Sequence, residues 1–100
     1  MVNQEQKSLF KKYEKHIKTR SCLVCGTTPV DAHHLDAVGM GGANKSGIKD
    51  LTCVPLCRIH HGEYHSYGLN KFETHYNINL WRDALYLLRR FFLNEIYGEN

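Results

Sequence analysis

The chain has 100 residues, of which 42% are hydrophobic and 11% aromatic. This composition excludes a disordered chain, and the length predicts one folded domain over residues 1–100. A domain of this size buries a modest core, and a bound metal ion would help it considerably. The net charge of +3 is mild, and by itself it favours solvated surface lysines over a phosphate-bearing partner.

Residues 1–20 are charged and lack an apolar run, so we expect no signal peptide. No stretch is long and apolar enough to span a membrane, and no membrane partner is expected. The expected compartment is the cytosol, where four cysteines are metal ligands more often than disulfides.

Residues 4–19 predict a helix, because apolar side chains recur on one face and lysines occupy the other. The apolar positions are Leu9, Phe10, Tyr13 and Ile17. The simplest interpretation is a packing helix with a solvated back. The same basic face could also lie along DNA.

Cys22 and Cys25 have two residues between them and are followed by Gly26, a tight turn that points two thiolates at one metal ion. A redox motif of this spacing would open a helix, which the stretch from Gly26 to Pro29 disfavours. A zinc knuckle needs a second pair of ligands, and Cys57 with His60 provides it.

Val30–Leu35 predicts a short strand that contains two consecutive histidines, His33 and His34. Adjacent side chains of a strand point to opposite faces. We therefore expect the two histidines to have different jobs, one binding metal and the other facing the substrate.

Residues 36–50 are rich in glycine and predict a long loop, and loops of this length are often functional. Lys45 and Lys49 in this loop, with Arg58 further on, are candidate contacts to a phosphate backbone. Leu51–Leu56 predicts the second strand, which Pro55 limits to an edge or a strand end. Cys53 within it is interpreted as a buried small hydrophobe, with metal ligation as the alternative.

Three helices are predicted after this strand, from about His61 to Tyr67, from Leu69 to Tyr76, and from the cap Asn79 to about Tyr97. On the first, His61 and His65 share one face. His75 is interpreted as a surface residue. The apolar positions of the last helix are Trp81, Ala84, Leu85, Leu88, Phe91, Phe92 and Ile96. They predict core packing against the N-terminal helix, and a homodimer interface is the second interpretation.

The motifs follow the order Cys22-x-x-Cys25, His33-His34, glycine-rich loop, strand, Cys57-x-x-His60 and His61-x-x-x-His65. This order resembles the HNH (ββα-metal, or His-Me finger) nuclease superfamily, in the variety where a zinc knuckle braces the hairpin. It looks most similar to phage-encoded nucleases of the Ref recombination type. The resemblance covers roughly residues 20–78 and rests on six elements in order.

The resemblance implies an α+β fold with a small ββα-metal core and a structural zinc knuckle over residues 21–68. Helices at residues 1–20 and 69–100 would flank this core. It also implies a phage or bacterial host cytosol as the setting, DNA as the partner, and metal-dependent hydrolysis of DNA phosphodiester bonds as the reaction.

The same resemblance implies a role for each site residue. The structural zinc would be held by Cys22, Cys25, Cys57 and His60. One catalytic divalent cation would be held by His33, His61 and His65. His34 would be the general base that activates water. Thr52 stands where the superfamily usually has an asparagine that fixes the loop carrying the base, and Asp50 or Asn44 could substitute for it.

The chemistry of the ligands supports this division. Three cysteines and one histidine close a tetrahedral zinc site, whereas three histidines leave positions open for phosphate and water. Neutral histidines suit Zn²⁺, Ni²⁺, Co²⁺ or Mn²⁺ better than Mg²⁺, so ligand chemistry alone does not name the catalytic ion.

Three alternatives to this interpretation exist, and one of them is a nuclease fold used as a protein-interaction subunit, with the apolar stripe of the last helix as its surface. A metalloprotease is disfavoured, because Glu63 is the third residue of His61-x-x-x-His65, whereas the protease motif has glutamate second. A non-catalytic zinc-dependent DNA-binding or interaction module needs only the knuckle residues. It would leave His33, His34 and His65 without a role.

Overall fold

The computed structural model describes residues 3–35 and 47–98, with Ile48 by its backbone alone. The fold is α+β, as expected, with four helices and a two-stranded sheet among these residues. The helices are α1 (Gln4–Lys18), α2 (Arg58–Tyr67), α3 (Leu69–Tyr76) and α4 (Leu80–Tyr97), and the strands are β1 (Asp31–His34) and β2 (Cys53–Leu56).

Helix α1 begins at a capping box. The side chain of Asn3 accepts from the backbone N–H of Gln6, and the Gln6 side chain accepts from the N–H of Asn3. Tyr13 and Ile17 are fully buried, while Leu9 remains 41% exposed. Helix α1 therefore packs against the core mainly through its C-terminal half.

The sheet is one antiparallel pair in which His34 lies opposite Cys53 and His33 opposite Val54. Every residue of β2 is buried. Strand β2 is therefore the covered strand of the sheet, and β1, which pairs with it, carries the two histidines.

A 3-10 helix, Ile48–Thr52, replaces the predicted end of the loop and the predicted start of the second strand. Gly47 precedes it with a φ of +82°, a left-handed conformation that favours glycine. The Thr52 hydroxyl donates to the Lys49 carbonyl oxygen and closes the turn. The prediction of strand from Leu51 was therefore wrong by two residues, while residues 36–46 of the predicted loop, including Lys45 and Asn44, lie outside the described residues.

Helix α2 begins three residues earlier than predicted. The backbone N–H of His61 donates to the Cys57 carbonyl oxygen at 2.8 Å, so Cys57 is the residue before the first helical turn. His60 and His61 consequently both belong to the helix. Its predicted end at Gly68 is confirmed, with φ +81° at that glycine.

Helix α4 begins at its predicted cap, where the Asn79 side chain accepts from the Arg82 N–H. The predicted apolar stripe was partly wrong. The residues that α4 buries are Leu80, Ala84, Leu87 and Phe91. Four of the predicted positions remain exposed, namely Trp81, Leu85, Phe92 and Ile96.

Among the residues that the structure describes, two hydrophobic clusters form the core. One lies around β2, the knuckle and α3, and its fully buried members include Val54, Leu56 and Phe72. The other joins α1 to α4, with Tyr13 edge-on to Phe91 at a centroid distance of 5.0 Å. The prediction that α4 packs on α1 is confirmed. None of the helices described combines the length and apolarity needed to cross a membrane.

Candidate metal centres

The segment from Cys22 to Thr27 folds into a closed turn against the end of β2. The N–H of Cys22 donates to the carbonyl oxygen of Thr27 at 2.9 Å, and Gly26 donates to Cys22 at 2.8 Å. The N–H of Leu23 donates to the Pro55 carbonyl oxygen at 3.0 Å. This turn holds Cys22 and Cys25 beside the residues that follow β2.

Cys22, Cys25, Cys57 and His60 form a Cys3His cluster in which one ligand atom of each lies within 4.8 Å of the others. The sulfurs of Cys25 and Cys57 are 3.8 Å apart, and His60 Nδ1 lies 3.6 Å from the Cys22 sulfur and 3.2 Å from that of Cys57. Tetrahedral zinc would separate two thiolates by about 3.8 Å and a thiolate from an imidazole nitrogen by about 3.5 Å. The cluster is therefore compatible with a structural zinc ion.

The thiols of this cluster differ in their electrostatic surroundings. Hydrogen bonds from Thr27 lower the pKa of the Cys25 thiol to about 7. The backbone N–H of His60 lowers the pKa of Cys57, whereas burial raises the pKa of Cys22. Because zinc binds thiolates, the lowered pKa values of Cys25 and Cys57 favour zinc binding at these two residues.

The second cluster joins β1 to α2 through His33, His61 and His65. The ring centroid of His33 lies 4.6 Å from that of His61 and 5.3 Å from that of His65. Among the described residues, His33 Nε2 is buried and has no hydrogen-bond partner. A buried polar atom of this kind is costly unless it is satisfied, and a metal ion is a partner that fits it.

His33 is held in its neutral form. Burial, and after it the charges of the neighbouring His61, His65 and His34, lower its pKa to about 4. A neutral imidazole is the form that binds metal. The ring also packs edge-on against Tyr64 at 4.2 Å, which fixes its orientation.

Asp31 is a site residue that the sequence analysis missed. Its Oδ2 accepts from His61 Nδ1 at 2.9 Å, and Arg58 Nε lies 3.2 Å from the same oxygen. The hydrogen bond from His61 lowers the pKa of Asp31, and the charge of Arg58 acts in the same direction. Because Nδ1 donates to the carboxylate, Nε2 of His61 is the nitrogen left for a metal ion.

His34 lies on the other side of β1 and contacts Asp50. The Nε2–H of His34 donates to Asp50 Oδ1 at 2.7 Å, and the carboxylate is almost fully buried. Thr52 fixes the backbone just after His34, since its hydroxyl oxygen accepts from the N–H of Leu35 at 3.2 Å. Two adjacent histidines of one strand thus have separate partners.

The comparisons place the chain in a family. Residues 3–90 match the family described as "Protein of unknown function (DUF968)". The chain belongs to this family. A further match is the "Uncharacterized protein YdfU" of Escherichia coli (strain K12), which is 44% identical over 55 residues. That match covers 55% of this chain and 16% of the relative's length. No solved structure matches the chain.

The part of the chain that matches the DUF968 family includes both candidate metal centres and the His34–Asp50 pair. An open cleft beside the three histidines is lined by Asp31, Arg58, His61, Gly62 and His65. A molecule that binds at the three-histidine cluster would approach it through this cleft.

The predicted phosphate contacts have different surroundings. The Arg58 side chain is 88% exposed beside the cleft and is paired with Asp31. Lys49 is only 7% exposed, so most of its side chain is covered by the protein. Lys45 lies outside the described residues. Of the predicted contacts that the structure describes, Arg58 is therefore the one at the cleft.

The third cluster of ligand-type residues is His34, Asp50 and Cys53. Cys53 is completely buried among Tyr13, Ile17 and other apolar side chains. Burial raises the pKa of its thiol. These surroundings are those of a small hydrophobe, in agreement with the interpretation made from the sequence.

Proposed function

We propose that this DUF968 protein is a metal-dependent HNH endonuclease that hydrolyses DNA phosphodiester bonds. The proposed ββα-metal core is β1, β2 and α2. The observation that carries the proposal is the division of β1, which supplies His33 to the three-histidine cluster and His34 to Asp50. A metal ligand and a base next to each other in the chain are the two groups that phosphodiester hydrolysis needs.

In this proposal His33, His61 and His65 hold one divalent cation, with Mg²⁺, Mn²⁺, Ni²⁺ and Zn²⁺ as candidates. When bound, such a cation neutralises charge at the scissile phosphate and at the leaving oxygen. Asp31 orients His61 through the hydrogen bond to Nδ1 and so keeps Nε2 directed at the cluster. The neutral state of His33 favours the same arrangement.

His34 acts as the general base. Asp50 accepts the hydrogen bond from Nε2, so the proton stays on that nitrogen and Nδ1 can take a proton from water. The carboxylate also stabilises the imidazolium that results. Asp50, rather than Thr52, therefore orients the base ring. Thr52 holds the backbone that follows the base.

The knuckle has a structural role in the proposal. Zinc on the Cys3His cluster would tie the turn at Cys22 to the first turn of α2. His60 belongs to that cluster and His61 to the other, and they are consecutive residues of the same helix. The zinc site would therefore set the position of the catalytic helix.

DNA is the proposed partner, and binding would be directed at its phosphates. Arg58 stands exposed at the rim of the cleft, and the cation would attract the same anionic group. Phosphate contacts carry little sequence information, so we expect weak sequence preference.

The proposal is tested by cleavage of plasmid and single-stranded DNA with each candidate cation, and by its loss with a chelator. His34→Ala should lower the rate at least about 100-fold, because general-base catalysis of this kind contributes about 10²–10⁴-fold. His75→Ala is the matched control, since His75 is exposed and outside both metal clusters. It should cleave like the wild type.

The alternative is a zinc-dependent module that binds DNA or another partner without cutting it. If no cation supports cleavage of any DNA while the zinc-loaded protein still binds it, the nuclease proposal is wrong and this alternative replaces it. Equal cleavage by the wild type and His34→Ala would reject His34 as the base.

A further inference from the structure

A second cleft, of about 590 Å³, lies between α1 and α4. The described residues that line it include four basic side chains and one carboxylate, namely Lys12, Lys15, Arg20, Arg90 and Glu95. None of its described lining residues also lines the cleft beside the three histidines. The proposed nuclease reaction therefore gives this basic cleft no role.

The basic cleft carries an excess of positive charge. Lys12 is neutralised by Glu95, whose carboxylate lies 2.7 Å from the Lys12 ammonium group. In the part of the chain that the structure describes, the other three cations form no ion pair with a carboxylate. Arg90 donates instead to a neutral group, the hydroxyl of Tyr86, at 3.1 Å. An anion that entered the cleft would therefore meet cations that are free to pair with it.

The helix dipole accounts for only part of this charge. Basic residues in the last turn of a helix, such as Lys15 in α1, are stabilised by the partial negative charge of that end. Arg90 lies about two turns before the end of α4 at Tyr97, so it gains nothing from the dipole. Two helices thus bring cations to one cleft for a reason other than their own stability.

The basic residues of α1 form a row along the cleft. Lys12, His16 and Arg20 recur every four residues, and Lys15 lies next to them. At about 1.5 Å per residue, the row extends over about 12 Å. The phosphates of one strand of DNA follow each other at about 3.4 Å along the duplex, so the row has the length of about three of them. An extended phosphate chain fits this row better than a single small anion does.

We propose that the basic cleft binds the phosphates of a DNA strand, as a second DNA contact apart from the three-histidine cluster. The choice of DNA rests on the proposed function, whereas the site rests on the cations of α1 and α4. Cys53 lies opposite His34 in the sheet, so both side chains point to the same face. Cys53 packs with Tyr13 of α1, so α1 covers the face of the sheet that carries the proposed base.

The test is DNA binding by the zinc-loaded protein, measured by fluorescence anisotropy at several salt concentrations. All proteins carry His34→Ala, so that the labelled duplex stays intact. Lys15→Gln with Arg90→Gln should weaken binding at least tenfold at low salt. It should also reduce the slope of log K against log salt by about two, because each phosphate contact contributes about 0.9. Binding and a slope that stay unchanged, or a starting protein that binds no DNA, would overturn the inference.

Lys18→Gln with Arg89→Gln is the matched control. It also removes one lysine of α1 and one arginine of α4, and all four side chains are exposed. Neither Lys18 nor Arg89 lines the basic cleft. Its slope should change by less than about one. Equal losses in the two double variants would show that DNA responds only to the net charge of the protein, and would overturn the inference.

Glu95→Gln tests the opposite sign. Without this carboxylate Lys12 is free to contact phosphate, so DNA binding should become several-fold tighter and the salt slope should steepen by about one. Unchanged or weaker binding by Glu95→Gln would overturn the charge balance on which the site depends.

NMR spectra locate the bound strand and distinguish it from a single anion. A short DNA strand should shift the backbone amide signals of Thr19 and Asn94, two uncharged residues that line the cleft. Inorganic phosphate at the same total phosphate concentration should shift them much less. Equal shifts with inorganic phosphate, or no shift with DNA, would overturn the inference. A wild type that shows these shifts but cleaves no DNA would reject the nuclease proposal and leave this site standing.

Discussion

Side-chain alternation along β1 accounts for the positions of His33 and His34. His33 faces the cluster with His61 and His65, and His34 faces Asp50. This separation could be predicted from the sequence, because adjacent residues of a strand point to opposite faces. The sequence alone offered several possible partners for His34. Asp50 is positioned beside His34 by a 3-10 helix that no sequence pattern indicated.

Asp31 was missed although a signal for it was present. It stands two residues before His33 on the same strand, and residues two apart share a face. The same alternation that separates His33 from His34 therefore places Asp31 beside His33 and, across the sheet edge, beside His61. Its pairing with Arg58 and His61 depended on the start of α2, which the sequence placed three residues late.

Asp31→Asn should weaken divalent-cation binding at the three-histidine cluster by about 10- to 100-fold, because the amide no longer fixes the His61 tautomer. Isothermal titration with Ni²⁺ of the zinc-loaded protein measures this affinity. Asp83→Asn is a matched control, since its side chain is 28% exposed compared with 29% for Asp31. Unchanged Ni²⁺ affinity in Asp31→Asn would show that the carboxylate does not orient a ligand.

Tyr13 is fully buried, and its hydroxyl has no hydrogen-bond partner among the described residues. Tyr13→Phe should therefore raise the free energy of unfolding by about 1 kcal/mol in urea denaturation at pH 7. The neighbouring buried Ile17→Ala should instead lower it by about 2–5 kcal/mol. A destabilised Tyr13→Phe would mean that the hydroxyl has a partner in solution.

The same side chain gives a pH dependence. Burial raises the pKa of Tyr13 above its ordinary value of 10.0. The unfolded chain then loses this proton at lower pH than the native protein, so its contribution to stability is present below about pH 10 and is lost as the pH rises. The advantage of Tyr13→Phe over the wild type should accordingly widen above pH 10.

At the scale of elements, the sequence predicted helix boundaries well wherever a local signal fixes them. Gly68 ends one helix and Asn79 caps another, as their residue types predict. The 3-10 helix was missed because its sequence carries no periodic pattern, and its turn depends on Gly47 and on the hydroxyl of Thr52. Short turns of this kind are decided by hydrogen bonds that the sequence does not display.

The division of α4 into two stripes also could not be predicted. Periodicity identifies apolar positions on a helix, but α4 has them over more than half its circumference. Which row is buried depends on where α1 and β2 lie. In the structure, the row that packs against them contains Leu87 and Phe91. The remaining row, which includes Leu85, Phe92 and Ile96, stays exposed.

For the whole molecule, both candidate metal centres depend on the arrangement of β1, β2 and α2. The turn at Cys22 is hydrogen-bonded to β2, and the chain passes directly from β2 to the first turn of α2. The spacing of the cysteines and His60 indicated the first candidate centre, and the resemblance to the HNH superfamily indicated the three histidines of the second. The angle between β1 and α2, which brings Asp31 to His61, required the folded chain.

Counting bound metal by native mass spectrometry tests most directly the claim that the chain holds two centres and that the zinc site positions the other one. The wild type should carry two ions per chain, on the Cys3His and the three-histidine clusters. His33→Ala should keep one ion. Cys25→Ser should lose both, because the start of α2 loses its anchor. Two ions on His33→Ala, a single ion on the wild type, or an intact second site in Cys25→Ser would contradict the account.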